Sequence, residues 1–184
     1  MSLPDWKTAS EKDVWAYFAT QVADTGAEVL LMGETIASMY LEKVYRFDGM
    51  DFHTEFGTEV GVFKDIMKAM GFEQNKQGGY EHPTYWKLRF KICPPPASFS
   101  KQDKESKIEG STPGELIKIY CPTDAVKERL NMAIHLNAFE YVTHASKIAK
   151  AHPIDLAQVK TFCEKQAAMD MFNFFLKKAN LQKK

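Results

Sequence analysis

Residues 155–176 read DLAQVKTFCEKQAAMDMFNFFL, and this stretch decides how the rest of the chain must fold. Asp155 and Gln158 fit a capping box, in which side chains serve the unpaired amide groups of a first helical turn. Apolar residues then recur at helical spacing on two faces. One face holds Leu156, Val159, Cys163, Ala167, Met171 and Phe174, and the second holds Phe162, Met169, Phe172 and Leu176. A helix that is apolar over so wide an arc needs more than one neighbour to cover it.

A second long helix precedes this stretch. Thr123 is the expected N-cap, and Asp124 suits the positive end of the helix dipole. The residue before a proline disfavours helical geometry, so this helix should stop near Ala151. We therefore predict a C-terminal helical pair, broken once at His152-Pro153, that supplies most of the core.

The first forty residues contain two further apolar segments. The first predicts a helix that ends at Gly26, since glycine readily adopts the left-handed conformation that closes a helix. The second runs from Ala27 to about Leu41, and we expect a helix there. Val29–Met32 could instead be a short buried strand, and Gly33 stands where the two interpretations divide.

Alternating apolar and polar residues predict strands in the middle of the chain. Lys43–Phe56 carries an Asp-Gly pair at 48–49 and is predicted to be a hairpin, because type I′ turns require positive φ at both central residues. Trp86–Ile92 and Leu116–Cys121 are predicted to pair antiparallel. Residues 94–114 between them are polar and rich in Ser, Lys and Pro, which is typical of a mobile loop.

These elements predict an α+β fold in one domain, residues 1–184. It is mostly helical, with a small antiparallel sheet of about four strands and the long C-terminal helical pair. The 184 residues are enough to bury a core without disulfides. A helix over Thr58–Met70, closed by Gly71, should connect the hairpin to the later strands.

Composition limits the classes of function. The 24 basic and 24 acidic residues balance, which makes nucleic-acid binding unlikely because such proteins usually carry a basic excess. No apolar run approaches the ~18 residues of a membrane span, so no membrane association is expected. Three widely spaced cysteines indicate neither a disulfide framework nor a zinc site, and fit reduced thiols in the cytoplasm.

Asp51, His53 and Glu55 form the sharpest candidate site. Residues two apart on a strand point to the same face, so these three side chains could hold one metal ion. The alternative is the solvated face of an edge hairpin. Short patterns of this kind are mostly of the second type, and the sequence indicates no fourth ligand.

The cysteines offer a second candidate chemistry. Cys121 lies where a strand ends and a helix begins, and a helix N-terminus favours a thiolate. The alternative is a small core residue, which is the commoner role of a free cysteine. Cys163 lies in an apolar stripe and is expected to serve packing alone.

Lys87, Arg89 and Lys91 line one face of a predicted strand. With nearby Tyr85 they could follow a phosphate backbone. Basic residues on a solvent-facing strand more often protect a sheet edge from pairing with another chain, and that is our preferred interpretation.

The sequence carries no common enzyme fingerprint and no indication of a cofactor. We therefore expect a non-catalytic protein-interaction or apolar-ligand-binding module. Its binding surface would be Phe162, Met169, Phe172 and Leu176 on the last helix, occupied by a protein partner or by a second copy in a homodimer. The alternative is a small enzyme that uses Asp51, His53 and Glu55 with a metal ion, or Cys121 as a reactive thiol.

Overall fold

The chain folds into helices that flank a small mixed sheet. The computed structural model describes residues 2–26, 29–41, 49–54, 60–85, 89–92, 107–109, 116–118 and 120–181. The helices are α1 (Glu11–Ala23), α2 (Glu34–Leu41), α3 (Val60–Ala69), α4 (Pro122–Leu136), α5 (Phe139–Ala151), α6 (Leu156–Lys165) and α7 (Met169–Ala179). The strands are β1 (Val29–Met32), β2 (Met50–Thr54), β3 (Glu73–Gln74), β4 (Tyr80–Glu81), β5 (Arg89–Ile92), β6 (Lys107–Glu109) and β7 (Leu116–Lys118). The predicted α+β class is confirmed.

Strand β1 corrects the helix that was preferred for the start of the second apolar segment. The strand ends at Met32, and Gly33 follows with a φ of +82°, a left-handed conformation that L side chains rarely adopt. Helix α2 then begins at Glu34, whose carboxylate suits the helix dipole. The alternative interpretation, a buried strand that Gly33 separates from a helix, is therefore the correct one.

The larger sheet has the order β1-β2-β5-β4-β3. Strand β2 pairs antiparallel with β1 and parallel with β5. Both edges of β2 are thus occupied by other strands, and the first half of the predicted hairpin, residues 43–48, lies outside the described residues. The predicted pairing of the strand at 86–92 with the strand at 116–121 is wrong, since β5 pairs with β2 and β4 while β7 pairs with β6.

The two faces of the sheet differ in polarity. Met50, Phe52 and Phe90 are buried, and their alternation places them on one face. Phe18 of α1 packs on this face, with its ring centroid 4.9 Å from those of both Phe52 and Phe90. Asp51 and the other residues between these positions belong to the opposite, polar face. One face of the sheet is therefore apolar and buried, and the opposite face carries charged side chains.

The C-terminal helical set is present, but as four helices rather than two. Asn137 ends α4 with a φ of 50°, and Ala167 follows α6 with a φ of 52°. Both residues are left-handed, which interrupts the right-handed helix. The N-cap of α4 is Cys121 rather than Thr123, whose Oγ1 instead accepts a hydrogen bond of 3.0 Å from the amide of Asp155.

Two further sequence expectations concern the loop at 94–114 and membrane-spanning helices. The predicted loop at 94–114 lies mostly outside the described residues, and Lys107–Glu109 within it form β6. Within the described residues, none of the helices has the length and apolar character needed to cross a membrane.

Candidate functional site

Asp51 is on β2, beside the junction where β1 ends and α2 begins. The antiparallel register sets Asp51 opposite Met32, next to Gly33. A Cβ placed on Gly33 would lie 3.1 Å from Oδ2 of Asp51, so a side chain at Gly33 would crowd this carboxylate. The strand–glycine–helix sequence therefore creates a close-fitting niche for one carboxylate group.

Lys91 is the cationic neighbour of Asp51 on the next strand. The parallel register of β2 and β5 pairs these two residues directly. Neighbouring strands lie about 4.8 Å apart, and paired residues project to the same face. Arg89, two residues earlier on β5, shares that face. A carboxylate and two cations thus project from the polar side of the sheet.

These side chains line an open cleft of about 310 Å³. Its far wall is built by β4, where Glu81 accepts a hydrogen bond of 2.9 Å from Nδ2 of Asn75 and lies 3.6 Å from Nε of Arg89. The floor is held close by Gly49, since a Cβ there would approach Cβ of Arg89 to 2.8 Å. The lining residues are Gly49, Asp51, Asn75, Gln77, Gly79, Tyr80, Glu81, Arg89, Phe90 and Lys91.

The surroundings of Asp51 oppose its charge only in part. Burial raises the pKa of the Asp51 carboxyl above its ordinary value, and Glu128 acts in the same direction. Lys91 and Arg129 have the opposite effect on this pKa and favour the carboxylate. Asp51 is therefore a half-buried acid whose charged form calls for further positive charge.

An ionic cluster of Glu34, Glu128, Arg129, Tyr141 and His144 lies behind the cleft, where α2, α4 and α5 meet. Arg129 donates from Nε and Nη2 to the two carboxylate oxygens of Glu128, at 2.5 and 2.6 Å, with both side chains buried. Its guanidinium carbon lies 5.2 Å from the centroid of the Tyr141 ring. Nδ1 of His144 is 3.9 Å from Oε1 of Glu34. The cluster fixes the charges that Asp51 faces from the helical side.

The residues of the cleft fit a hard divalent cation such as Mg²⁺ in one particular way. Magnesium is commonly held by one or two carboxylates, with water and substrate phosphates completing its coordination. The niche at Gly33 keeps one such carboxylate facing the cleft. Among the described residues no group of three His, Cys, Asp or Glu side chains converges, so a cage made by these residues alone does not fit.

The predicted metal-binding residues are placed only in part. Asp51 and His53 both lie on β2, with His53 paired to Leu30. The side chain of His53 and all of Glu55 lie outside the described residues. Whether the three side chains meet one cation stays a prediction.

The two described thiols lie away from the cleft. Cys121 donates a hydrogen bond of 3.3 Å to Oδ2 of Asp124, which also pairs with Lys127 at 2.5 Å. The catalytic role of Cys121 stays a prediction. Cys163 is buried, and burial raises the pKa of its thiol to about 11. That thiol is held in its neutral form.

The apolar set predicted as a binding surface is packed largely inside the chain. Phe162 and Phe172 are each 6% exposed, and Met169 and Leu176 pack beside the same core. Phe174, from the other predicted face, is 38% exposed. The binding role of the four residues stays a prediction.

Sequence reasoning singled out Asp51 but missed the residues that complete its surroundings. Lys91 was assigned to a sheet edge, yet β5 is an interior strand with neighbours on both sides, so edge protection cannot explain its charge. Gly33 carried a usable signal, because a glycine between an apolar run and a helix is typical of a tight strand–helix turn. Glu128 and Arg129 carried none, since they read as an ordinary exposed helix face.

Comparisons with known proteins identify a likeness of fold. No protein-family model and no curated protein sequence matches the chain. The solution structure of the antibiotic-resistance factor ANT(2'')-Ia, an aminoglycoside nucleotidyltransferase, is similar with a TM-score of 0.52. The match covers 90% of this chain and 88% of that one, at 12% sequence identity. At this identity the likeness establishes the fold.

This likeness overturns our main expectation of function. A non-catalytic interaction or apolar-ligand-binding module was predicted, whereas the structure that this chain resembles in fold is that of an enzyme. The prediction failed because active sites are assembled across a fold and need not leave a short motif in the sequence. The alternative, a small enzyme that uses Asp51, His53 and Glu55 with a metal ion or Cys121 as a reactive thiol, is better supported as to being an enzyme, and its site residues stay a prediction.

Proposed function

We propose that the chain is a metal-dependent enzyme that transfers a nucleotidyl group to an acceptor hydroxyl. The observation that carries the proposal is the Asp51 carboxylate, held in the niche of Gly33 and facing a polar cleft. The enzyme fold of ANT(2'')-Ia, a nucleotidyltransferase, agrees with it. His53 and Glu55 remain the proposed companions of Asp51.

The cleft suits this reaction class in its charges. In nucleotidyl transfer the acceptor oxygen bonds to the α-phosphorus, the bond to the β-phosphate breaks, and pyrophosphate leaves. The acceptor hydroxyl gives up its proton to water in the open cleft, and the Asp51 carboxylate stays available to the cation. A divalent cation would supply neutralisation of the negative charge on the phosphates. Arg89 and Lys91 lie where a phosphate chain would need positive charge.

The test is cation binding and turnover in the Asp51→Asn variant. Asparagine keeps the shape of the side chain and removes its charge. We expect Mn²⁺ binding, measured by electron paramagnetic resonance, to be lost. Pyrophosphate release from a mixture of nucleoside triphosphates and candidate acceptors should fall about a hundredfold or more.

Asp65→Asn is the matched control, because Asp65 is an exposed carboxylate on α3, outside the cleft. It should bind Mn²⁺ as the wild-type chain does. Unchanged Mn²⁺ affinity in Asp51→Asn, or no Mn²⁺ binding by the wild-type chain with or without nucleotide, would contradict the proposal.

We further propose that the enzyme is cytoplasmic and forms a homodimer through its C-terminal helices. Leu136 and Phe139 are each 55% exposed, and the ring of Phe139 lies 5.4 Å from that of Phe174. An apolar patch of this kind suits self-association. Light scattering at high protein concentration should report twice the mass of the chain, and Phe139→Ser should return it to one chain. A wild-type monomer at all concentrations would remove the homodimer.

A further inference from the structure

Phosphate binding alone does not explain why Lys91 is paired in register with the carboxylate-bearing Asp51. A site that binds a divalent cation would not be expected to carry a lysine at the strand position next to its metal-binding carboxylate. The parallel register nevertheless pairs Lys91 with Asp51, and both residues line the cleft. The strand that carries Lys91 is interior, so its charge has no edge to protect.

We propose that Lys91 is a resident cation that makes metal binding at Asp51 depend on an anionic substrate. In the empty cleft the ammonium group competes with a divalent cation for the Asp51 carboxylate. When a phosphate chain enters, Lys91 turns its charge to the phosphates, and the carboxylate becomes available to the metal. Metal and phosphate thus bind together, and neither binds well alone. This inference rests on the proposed function and concerns the same site.

The geometry supports this exchange of partners. Lys91 is exposed at its end of the cleft, so its flexible chain can reach a ligand without unfolding the strand. Asp51 is half-buried and lies close to Gly33, so its shorter side chain has less room to move than that of Lys91. Arg89 is paired with Glu81, at 3.6 Å from its Nε to the Glu81 carboxylate. Lys91 is the cation paired in register with Asp51. A mobile cation next to a fixed anion is what such a switch requires.

Reciprocity follows from thermodynamics. If a phosphate ligand raises the affinity of Asp51 for a metal ion, the metal must raise the affinity for the phosphate by the same factor. Removing the ammonium group should therefore act in opposite directions on the two ligands measured separately. A general loss of folding would weaken both, so the opposite signs separate the proposal from damage to the structure.

The experiment compares Lys91→Gln with the wild-type chain, using Mn²⁺ alone and inorganic tripolyphosphate alone as probes. We expect Lys91→Gln to bind Mn²⁺ about threefold to tenfold more tightly, because a repelling charge is gone. Tripolyphosphate should bind about tenfold more weakly, as for the loss of one charge-assisted hydrogen bond. Each affinity is measured by titration calorimetry. Detectable Mn²⁺ binding in the variant alone would also support the proposal.

Two further variants complete the design. Lys91→Arg keeps the charge and should behave as the wild-type chain does. Lys64→Gln removes an exposed lysine of α3 and should change neither affinity. The proposal is overturned if Lys91→Gln leaves Mn²⁺ affinity unchanged or lowers it, or if Lys91→Arg resembles Lys91→Gln. Opposite shifts in a chain that releases no pyrophosphate would instead contradict the proposed reaction and keep the role of Lys91.

Discussion

At the scale of single residues, the site depends on what Gly33 lacks. Its φ of +82° suits glycine, and a Cβ there would lie only 3.1 Å from the Asp51 carboxylate. These are two separate demands, one on the backbone and one on the neighbouring carboxylate. Substitution there should therefore affect both stability and the geometry of the site.

The chain offers a matched pair of glycines to separate these demands. Gly26 has a φ of +78°, and a Cβ there would meet nothing within 4 Å. We expect Gly26→Ala and Gly33→Ala each to lose about 1–2 kcal/mol of unfolding free energy through backbone strain. Gly33→Ala alone should also weaken Mn²⁺ binding, because its methyl group displaces the Asp51 carboxylate. Urea unfolding and Mn²⁺ titration measure the two effects, and equal Mn²⁺ affinity in both variants would refute the second.

Residue-level prediction from sequence succeeded where the chemistry is local. Asp51 stood out because a strand places alternate residues on one face. Asp155 was correctly identified as an N-cap, and its side chain accepts hydrogen bonds from the amides of Ala157 and Gln158. Lys91 could not be assigned, because its meaning depends on which strand pairs with β5. Register across a parallel pair leaves no mark within either segment.

At the scale of elements, His144 couples the packing of three helices to pH. It lies on α5 and faces Glu34 of α2 and Arg129 of α4, with Lys147 and Tyr141 on its own helix. Burial lowers the pKa of His144 to about 4, and the cations Arg129 and Lys147 add to this shift. The histidine is therefore neutral in the folded chain at neutral pH.

The sign of the pH effect follows from this lowered pKa. Above pH 6.5 the histidine is neutral in both the folded and the unfolded chain, so it contributes no pH dependence. Between about pH 6.5 and pH 4 the unfolded chain binds a proton that the folded chain does not. The free energy of unfolding therefore decreases as the pH is lowered through this range. We expect His144 to account for roughly 2 kcal/mol of unfolding free energy lost between pH 7 and pH 4.5.

The measurement is urea unfolding across this range for the wild-type chain and for His144→Gln. The variant should lose less stability on acidification, by the stated amount. His135→Gln is the control, because His135 is exposed and lies outside the ionic cluster. A His144→Gln variant as acid-sensitive as the wild-type chain would rule out this role.

Elements were predicted well where caps mark their ends, and poorly where they do not. Helix α3 ends as expected at Gly71. The amide of Phe72, the next residue, donates a hydrogen bond to the carbonyl of Met67. The break at Ala167 carries no such signal, because alanine is the strongest helix former yet is left-handed here. Tertiary packing overrides propensity at that joint.

At the scale of the whole molecule, composition and periodicity sufficed for the class of fold but not for its topology. The C-terminal helices were expected to organise the chain, and α5 does pack against α2, α4 and α7. The sheet was misassigned because strand order is set by contacts between distant segments. The error extended to function, since a sheet with one polar face forms the cleft that the sequence did not reveal.

The parallel pairing of β2 and β5 also determines when the site can exist. Helix α3 and strands β3 and β4 separate the two strands along the chain, so their pairing is non-local and is expected late in folding. Asp51 and Lys91 are therefore expected to become neighbours late in folding. A ligand of the cleft is therefore expected to bind the folded chain and not the unfolded one. Metal together with a polyphosphate should then raise the melting temperature of the whole molecule by mass action. The melting temperature therefore reports ligand binding at the cleft.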